Sequence, residues 1–312
     1  MCPLEMRHPS FNIIEVYPKY RRSICTAPFL SPPLSFTCFP YDCPQLLIRY
    51  ARILLPNGEF LMGDVQISGH IVQVAPSIAV EPGVLESADN EIDAQGLALL
   101  LGVIDPQVHL REPGLEYKED LFTASCACAK GGVTSFLEMP NTKPLTTTQA
   151  ALDDKLQRAA SKCLVNDGFF IGATAEHLPD LLQAHPTPGI KVFMGSMHGA
   201  LLVDQESVLE QIFAEGSRLI AVHAEDQARI RDRRAQFAGQ TDPAIHSHSQ
   251  IQDNQAALLA TQLALKLSKQ YHQRLHIPHL STAEEADLLR QDKPAWVTAE
   301  VTPQHWLLNT DA

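Results

Sequence analysis

Gly102-Val103-Ile104-Asp105-Pro106-Gln107-Val108-His109-Leu110-Arg111-Glu112-Pro113-Gly114 runs from an apolar strand straight into a polar cluster. Side chains of an extended strand alternate between its two faces, so His109 and Arg111 share a face. At the C-terminal end of a strand, such an imidazole can bind a metal, and a guanidinium two residues on can hold a carboxylate as a planar fork. Gln107 stands where a second His would complete a His-x-His pair.

Outward from this stretch, apolar strand-like runs alternate with helical ones, the βαβ rhythm of a parallel sheet. Strands are predicted at residues 99–104, 133–139, 168–173, 190–194, 219–223, 275–279 and 297–301. A crossover helix rich in Ala, Leu and Gln is predicted over residues 254–269. His109, Lys191, His223 and His279 each fall at or just beyond the C-terminal end of one of these strands, where the ligands of a parallel barrel converge. Upstream, the runs 46–55, 60–67 and 71–74 are separated by Pro56-Asn57-Gly58 and Ser68-Gly69, a hairpin pattern.

The segment His109-Leu110-Arg111-Glu112-Pro113-Gly114 and the later Glu138-Met139-Pro140-Asn141-Thr142 resemble the signature of dihydroorotase, in the cyclic-amidohydrolase branch of the amidohydrolase superfamily. Similarity continues through Gly189–Ser196, Val222-His223-Ala224-Glu225-Asp226, His279–Glu285 and Ala299–Pro303, and spans roughly residues 46–312. The resemblance implies an α/β fold: a TIM-type (β/α)8 metallohydrolase barrel with part of a small flanking β-sandwich. The expected organisation is a poorly ordered extension over 1–45, the N-terminal part of the sandwich over 46–101, and the barrel over 102–312. The chain stops at Ala312, so the barrel is expected to be incomplete, without the strand 8 whose Asp binds metal and acts as general base in the family.

The implied reaction is zinc-dependent interconversion of N-carbamoyl-L-aspartate and dihydroorotate in pyrimidine biosynthesis, with these 312 residues by themselves expected to be inactive. His109, Lys191, His223 and His279 are the implied ligands of one or two Zn2+. Lys191 would serve only as a carbamate, since an ammonium cannot ligate a cation; the alternative is a lysine capping a strand end or pairing with Glu225 or Asp226. Gln107 weakens one metal position, because a carboxamide is a poorer zinc ligand than imidazole. Either one metal suffices, or Asp105 or Gln107 completes a weakened site, or the centre has decayed. Arg111 and Asn141 are the implied substrate-binding residues, Arg111 gripping the carboxylate of dihydroorotate; the alternative for Arg111 is a salt bridge to Glu112 or Glu116. An allantoinase or dihydropyrimidinase would not call for Arg111. A different class of protein also fits: a non-catalytic relative serving as a structural partner of aspartate transcarbamoylase.

Composition narrows the remaining choices. With 45% hydrophobic and 19% charged residues, the chain has the makings of a real core. A formal net charge of −12 without a basic patch argues against nucleic acid. Seven Cys without zinc-ribbon spacing fit a reduced, cytoplasmic protein. No apolar run is long enough for a membrane span, and a homo-oligomer is compatible with the sequence. His246 and His248 have metal-like spacing but lie in a polar stretch, where exposure is expected; His198 follows strand 4 and could line a pocket.

Overall fold

The computed structural model describes residues 45–80, 90–176, 178–197, 199–215, 218–237 and 246–309. The expectations for residues 1–44, for His198 and for the side chain of His246 lie outside these. The chain divides into two compact units, residues 1–103 and 104–312. No described helix is long and apolar enough to cross a membrane.

The first unit holds a five-stranded sheet of β1 (Leu46–Leu54), β2 (Phe60–Ser68), β3 (His70–Ala75), β4 (Glu91–Asp93) and β5 (Ala98–Leu99), in the order β3-β2-β1-β4, with β5 also on β1. The hairpin turn at Pro56-Asn57-Gly58 closes β1 onto β2 with Leu54 opposite Phe60, and Gly58 takes the left-handed backbone (φ +85°) that the turn requires. Ile48, Ala51, Ile53, Val65 and Ala94 form its buried face.

The second unit carries the barrel strands β6 (Val103–Val108), β7 (Val133–Glu138), β8 (Asn166–Phe169), β9 (Ile171–Gly172), β10 (Gly189–Phe193), β11 (Leu219–His223), β12 (Leu275–Ile277) and β13 (Val297–Ala299). They form the sheets β6-β7-β8 and β13-β12-β11-β10-β9. Only Phe170 separates β8 from β9, so the two sheets follow one another around an arc. From β9 to β13 every neighbouring pair is parallel. The helices are α1 (Leu121–Lys130), α2 (Gln149–Lys162), α3 (Leu178–Gln183), α4 (Glu206–Glu215), α5 (Gln227–Gln236), α6 (His246–Ile251), α7 (Asn254–Tyr271), α8 (Ala283–Asp292) and α9 (Pro303–Leu307). Side-chain caps start several of them: Asp120 on α1, Asp226 on α5, Asp253 on α7, and Thr282 on α8.

Strand alternation sorts the side chains into two layers. Phe136, Phe169, Ile171, Ile190, Val192, Ile220, Val222, Leu275, Ile277 and Val297 join helix residues such as Leu121, Leu152, Phe213 and Leu265 in the main core. On the opposite, inner face, Leu137, Met139, Phe170 and Ala221 form a separate small cluster. Val108 and Leu110 pack in the main core, so alternation sends Asp105, Gln107 and His109 inward. The same parity sends Lys191 and His223 inward.

Two strand boundaries differ from the sequence reading. The first barrel strand is Val103–Val108, while Ala98–Leu99 belongs to the sheet of the first unit. Its inner face carries Asp105 and Gln107, so no continuous apolar run marks it. The sixth strand ends at Ile277: Pro278 follows and His279 turns left-handed (φ +45°). Among the described residues, β6 and β13 end their sheets and the barrel is not closed. Ile104, Val301, Trp306, Leu307 and Leu308 lie exposed.

Candidate metal centre

The centre is built on the inner face at the C-terminal ends of the strands. His223 closes β11, and His279 follows β12. Alternation alone would send His279 outward with Leu275 and Ile277. Its left-handed backbone re-aims it, and the loop is locked to the end of β13 by Leu280 N–H to Glu300 O (2.8 Å) and Glu300 N–H to Ile277 O (3.1 Å). His279 Nε2 thereby lies 3.0 Å from His223 Nδ1.

The other ring nitrogen of His223, Nε2, lies 2.7 Å from Glu225 Oε2. Burial works to raise the Glu225 carboxyl, but the hydrogen bonds and charges around it, led by His223 with Ser196 next, hold it below the usual range. An ionised carboxylate only accepts, so Nε2 carries the proton and Nδ1 turns its lone pair toward His279. Glu225 is itself held. Ser196 Oγ donates to it, Gln252 Nε2 donates to Ser196 Oγ (2.7 Å), and Ser196 N–H donates to Gln227 Oε1 (2.9 Å). The sequence carries one signal for this network, a carboxylate two residues after His223, and its partner is that imidazole and not Lys191.

Lys191 stands on the inner face of β10, fully buried. Its Nζ has no hydrogen-bond partner and lies 5.3 Å from the centroid of the Phe193 ring. Desolvation lowers its pKa to about 7, with the charge of Glu300 working the other way. The alternative pairing with Glu225 or Asp226 does not occur.

His109 occupies the end of the first strand. Its Nδ1 lies 2.8 Å from Asn141 Oδ1, and its Nε2 lies 3.4 Å from Gln107 Nε2. Burial, reinforced by the charges of Arg111, Lys191 and His223, lowers its pKa to about 4 despite the Asn141 bond. His279 falls further, to about 3, through burial and then the charges of His223 and Lys191. Both imidazoles are neutral at pH 7, the state in which they can ligate. These mutual effects place the four residues in one electrostatic neighbourhood. The direct contact is between His223 and His279, and among the described residues no three of His, Cys, Asp and Glu form a ready metal cage.

Arg111, in the left-handed region (φ +68°), forms no side-chain hydrogen bond or ion pair among the described residues. Glu112 is engaged elsewhere, with Lys162, Arg158 and the N–H of Leu121, and Glu116 accepts from Gly114 N–H. The internal salt bridge weighed against a ligand role for Arg111 is therefore absent. His248 is exposed, and Asn141 has a structural task the sequence did not suggest, orienting His109.

The strand ends of this open barrel thus present neutral imidazoles, a bare buried lysine and an unpaired guanidinium. The dihydro-orotase-like family profile matches residues 96–228. The chain is 33% identical over 280 residues to the dihydroorotase of Methanosarcina acetivorans, covering 85% of this chain and 58% of that protein. It is 30% identical over 285 residues to an allantoinase of Enterococcus faecalis, covering 86% and 61%. Among solved structures it resembles the L-hydantoinase (dihydropyrimidinase) of Arthrobacter aurescens, with a TM-score of 0.76, 25% identity, and coverage of 85% of this chain and 60% of that one. The relatives it matches are dihydroorotase-like cyclic amidohydrolases, and the chain spans about three fifths of their length.

Proposed function

We propose that the chain carries the metal-binding face and the carboxylate grip of a zinc-dependent, dihydroorotase-type centre, interconverting dihydroorotate and N-carbamoyl-L-aspartate. Arg111 carries this reading: a guanidinium beside His109 without an internal partner is suited to a substrate carboxylate. The donor set fits a metal, since His223 Nδ1 and His279 Nε2 face each other and Lys191 Nζ is buried without a partner. Those three residues would hold zinc, with His109, engaged by Asn141 and Gln107, in the same electrostatic neighbourhood. Bound there, zinc supplies an acidified water and an electrophile for an amide carbonyl. The chain's own residues orient the reactants: Arg111 fixes the ring through its carboxylate, Asn141 sets the His109 tautomer, and Glu225 keeps the His223 proton on Nε2.

Two other readings have an observation behind them. The likeness to an L-hydantoinase favours a cyclic amide without a carboxylate, which would leave Arg111 idle. Gln107 favours a non-catalytic relative that associates with aspartate transcarbamoylase.

Calorimetric binding of dihydroorotate and dihydrouracil, the same ring without the carboxylate, to the zinc-loaded chain separates the three. Charge-assisted bonds are worth about 1.5–3 kcal/mol, so Arg111→Ala should weaken dihydroorotate by roughly 10- to 150-fold and leave dihydrouracil unchanged. Equal losses would make Arg111 structural. Binding of neither ring by the parent chain would favour the non-catalytic reading.

A further inference from the structure

The nitrogens of the centre fall into two groups. On one side, His223 Nδ1 and His279 Nε2 are 3.0 Å apart, with Glu225 holding the proton of His223 on the far nitrogen. Two imidazole nitrogens converge there, with the partnerless Nζ of Lys191 on the neighbouring strand. On the other side, both nitrogens of His109 are occupied. Asn141 Oδ1 accepts from Nδ1–H at 2.8 Å, which leaves Nε2 as an acceptor, and the group facing it at 3.4 Å is the amide nitrogen of Gln107. An amide nitrogen donates hydrogen bonds and has no lone pair to give a cation. With Gln107 as the neighbour, the lone pair of His109 is met by an N–H where a His would present a second ring nitrogen on the same strand face.

Resting on the metal reading above, we propose that this centre holds a single divalent cation, between His223 and His279 beside Lys191. The Gln107–His109–Asn141 set closes the place that a second cation would need.

The test is a metal count. The purified full chain is loaded with Zn2+, passed through a desalting column, and its zinc per chain measured by mass spectrometry, beside Gln107→His, His279→Ala and His109→Ala. One zinc per chain is expected in the parent and in His109→Ala, none in His279→Ala, and two in Gln107→His. Two zinc ions in the parent would overturn the inference while leaving the metal reading standing. So would one ion that survives in His279→Ala but is lost in His109→Ala, or a Gln107→His chain of native circular dichroism that still holds one. No zinc in the parent would overturn the metal reading itself. Should Gln107→His fail to fold, the parent and the two alanine variants still decide.

Discussion

Replacing Lys191 with Met should stabilise the metal-free protein, and by an amount that depends on pH. The lysine is fully buried, its Nζ has no partner, and its pKa falls from the usual 10.5 to about 7 because burial penalises the ammonium. Below pH 7 folded and unfolded chains both carry the proton, and the folded state bears the whole cost. Between pH 7 and 10.5 the folded lysine sheds its proton while the unfolded one keeps it, so stability rises with pH; above 10.5 the two states match again. From these two pKa values the lysine costs about 4 kcal/mol at pH 7 and about 2 kcal/mol at pH 9. Met has a similar volume and packs against Phe193 without a charge. Urea unfolding of both proteins, with chelator and CO2-free buffer, should show Lys191→Met the more stable at pH 7, with the gap narrowing by about 2 kcal/mol at pH 9. A gap that does not change with pH, or a less stable Met variant at both, would refute an unpaired buried amine at this position.

Other perturbations test the surroundings. Glu225→Ala removes the acceptor that orients His223 and should weaken zinc binding by about 10- to 100-fold in a competition titration, with Glu225→Gln in between. Lys155 and Glu138 form a buried ion pair beneath α2, and burial raises Glu138 to about 7 even against that lysine. Lys155→Met should cost about 3–5 kcal/mol in urea unfolding at pH 8, and less at pH 5.5, where Glu138 is neutral. At Gly114 (φ +87°), an added Cβ would sit 2.1 Å from the carbonyl oxygen of Lys143. Gly114→Ala should therefore lower the melting temperature, by a loss of at least about 1–3 kcal/mol.

What the sequence made legible follows from which faces are apolar. Strands whose outward residues are Ile, Val or Leu, such as β10 and β11, stand where their runs predicted them, and α7 extends the predicted helix by two residues to Tyr271. The first barrel strand was misplaced toward Leu99 because its inward residues, Asp105 and Gln107, are polar. His279 was read at the end of its strand, but the contact with His223 depends on a left-handed residue after Pro278, which no periodicity reports. The support under the site was illegible for another reason. Ser196, Glu225 and Gln252 come from three separate loops and Gln227 from the start of α5, and each is an ordinary polar residue until the fold brings them together.

The inner face of the barrel is unevenly furnished. Leu137, Met139, Phe170 and Ala221 make one wall apolar, while Asp105 and Glu300 bring carboxylates to the strands at the two ends of the arc. Asp105 is raised by burial and by the charge of Glu300, and the same charge works to raise Lys191. A carboxylate just past the last strand thus acts in common mode on an acid from the first strand and a base from the fourth. Any event that neutralises Glu300, whether a proton, a cation or a substitution, pulls both titrations downward together: the acid becomes a better anion as the amine becomes a weaker cation. Asp105 and Lys191 would shift together, though the groups involved lie nearly two hundred residues apart in the chain.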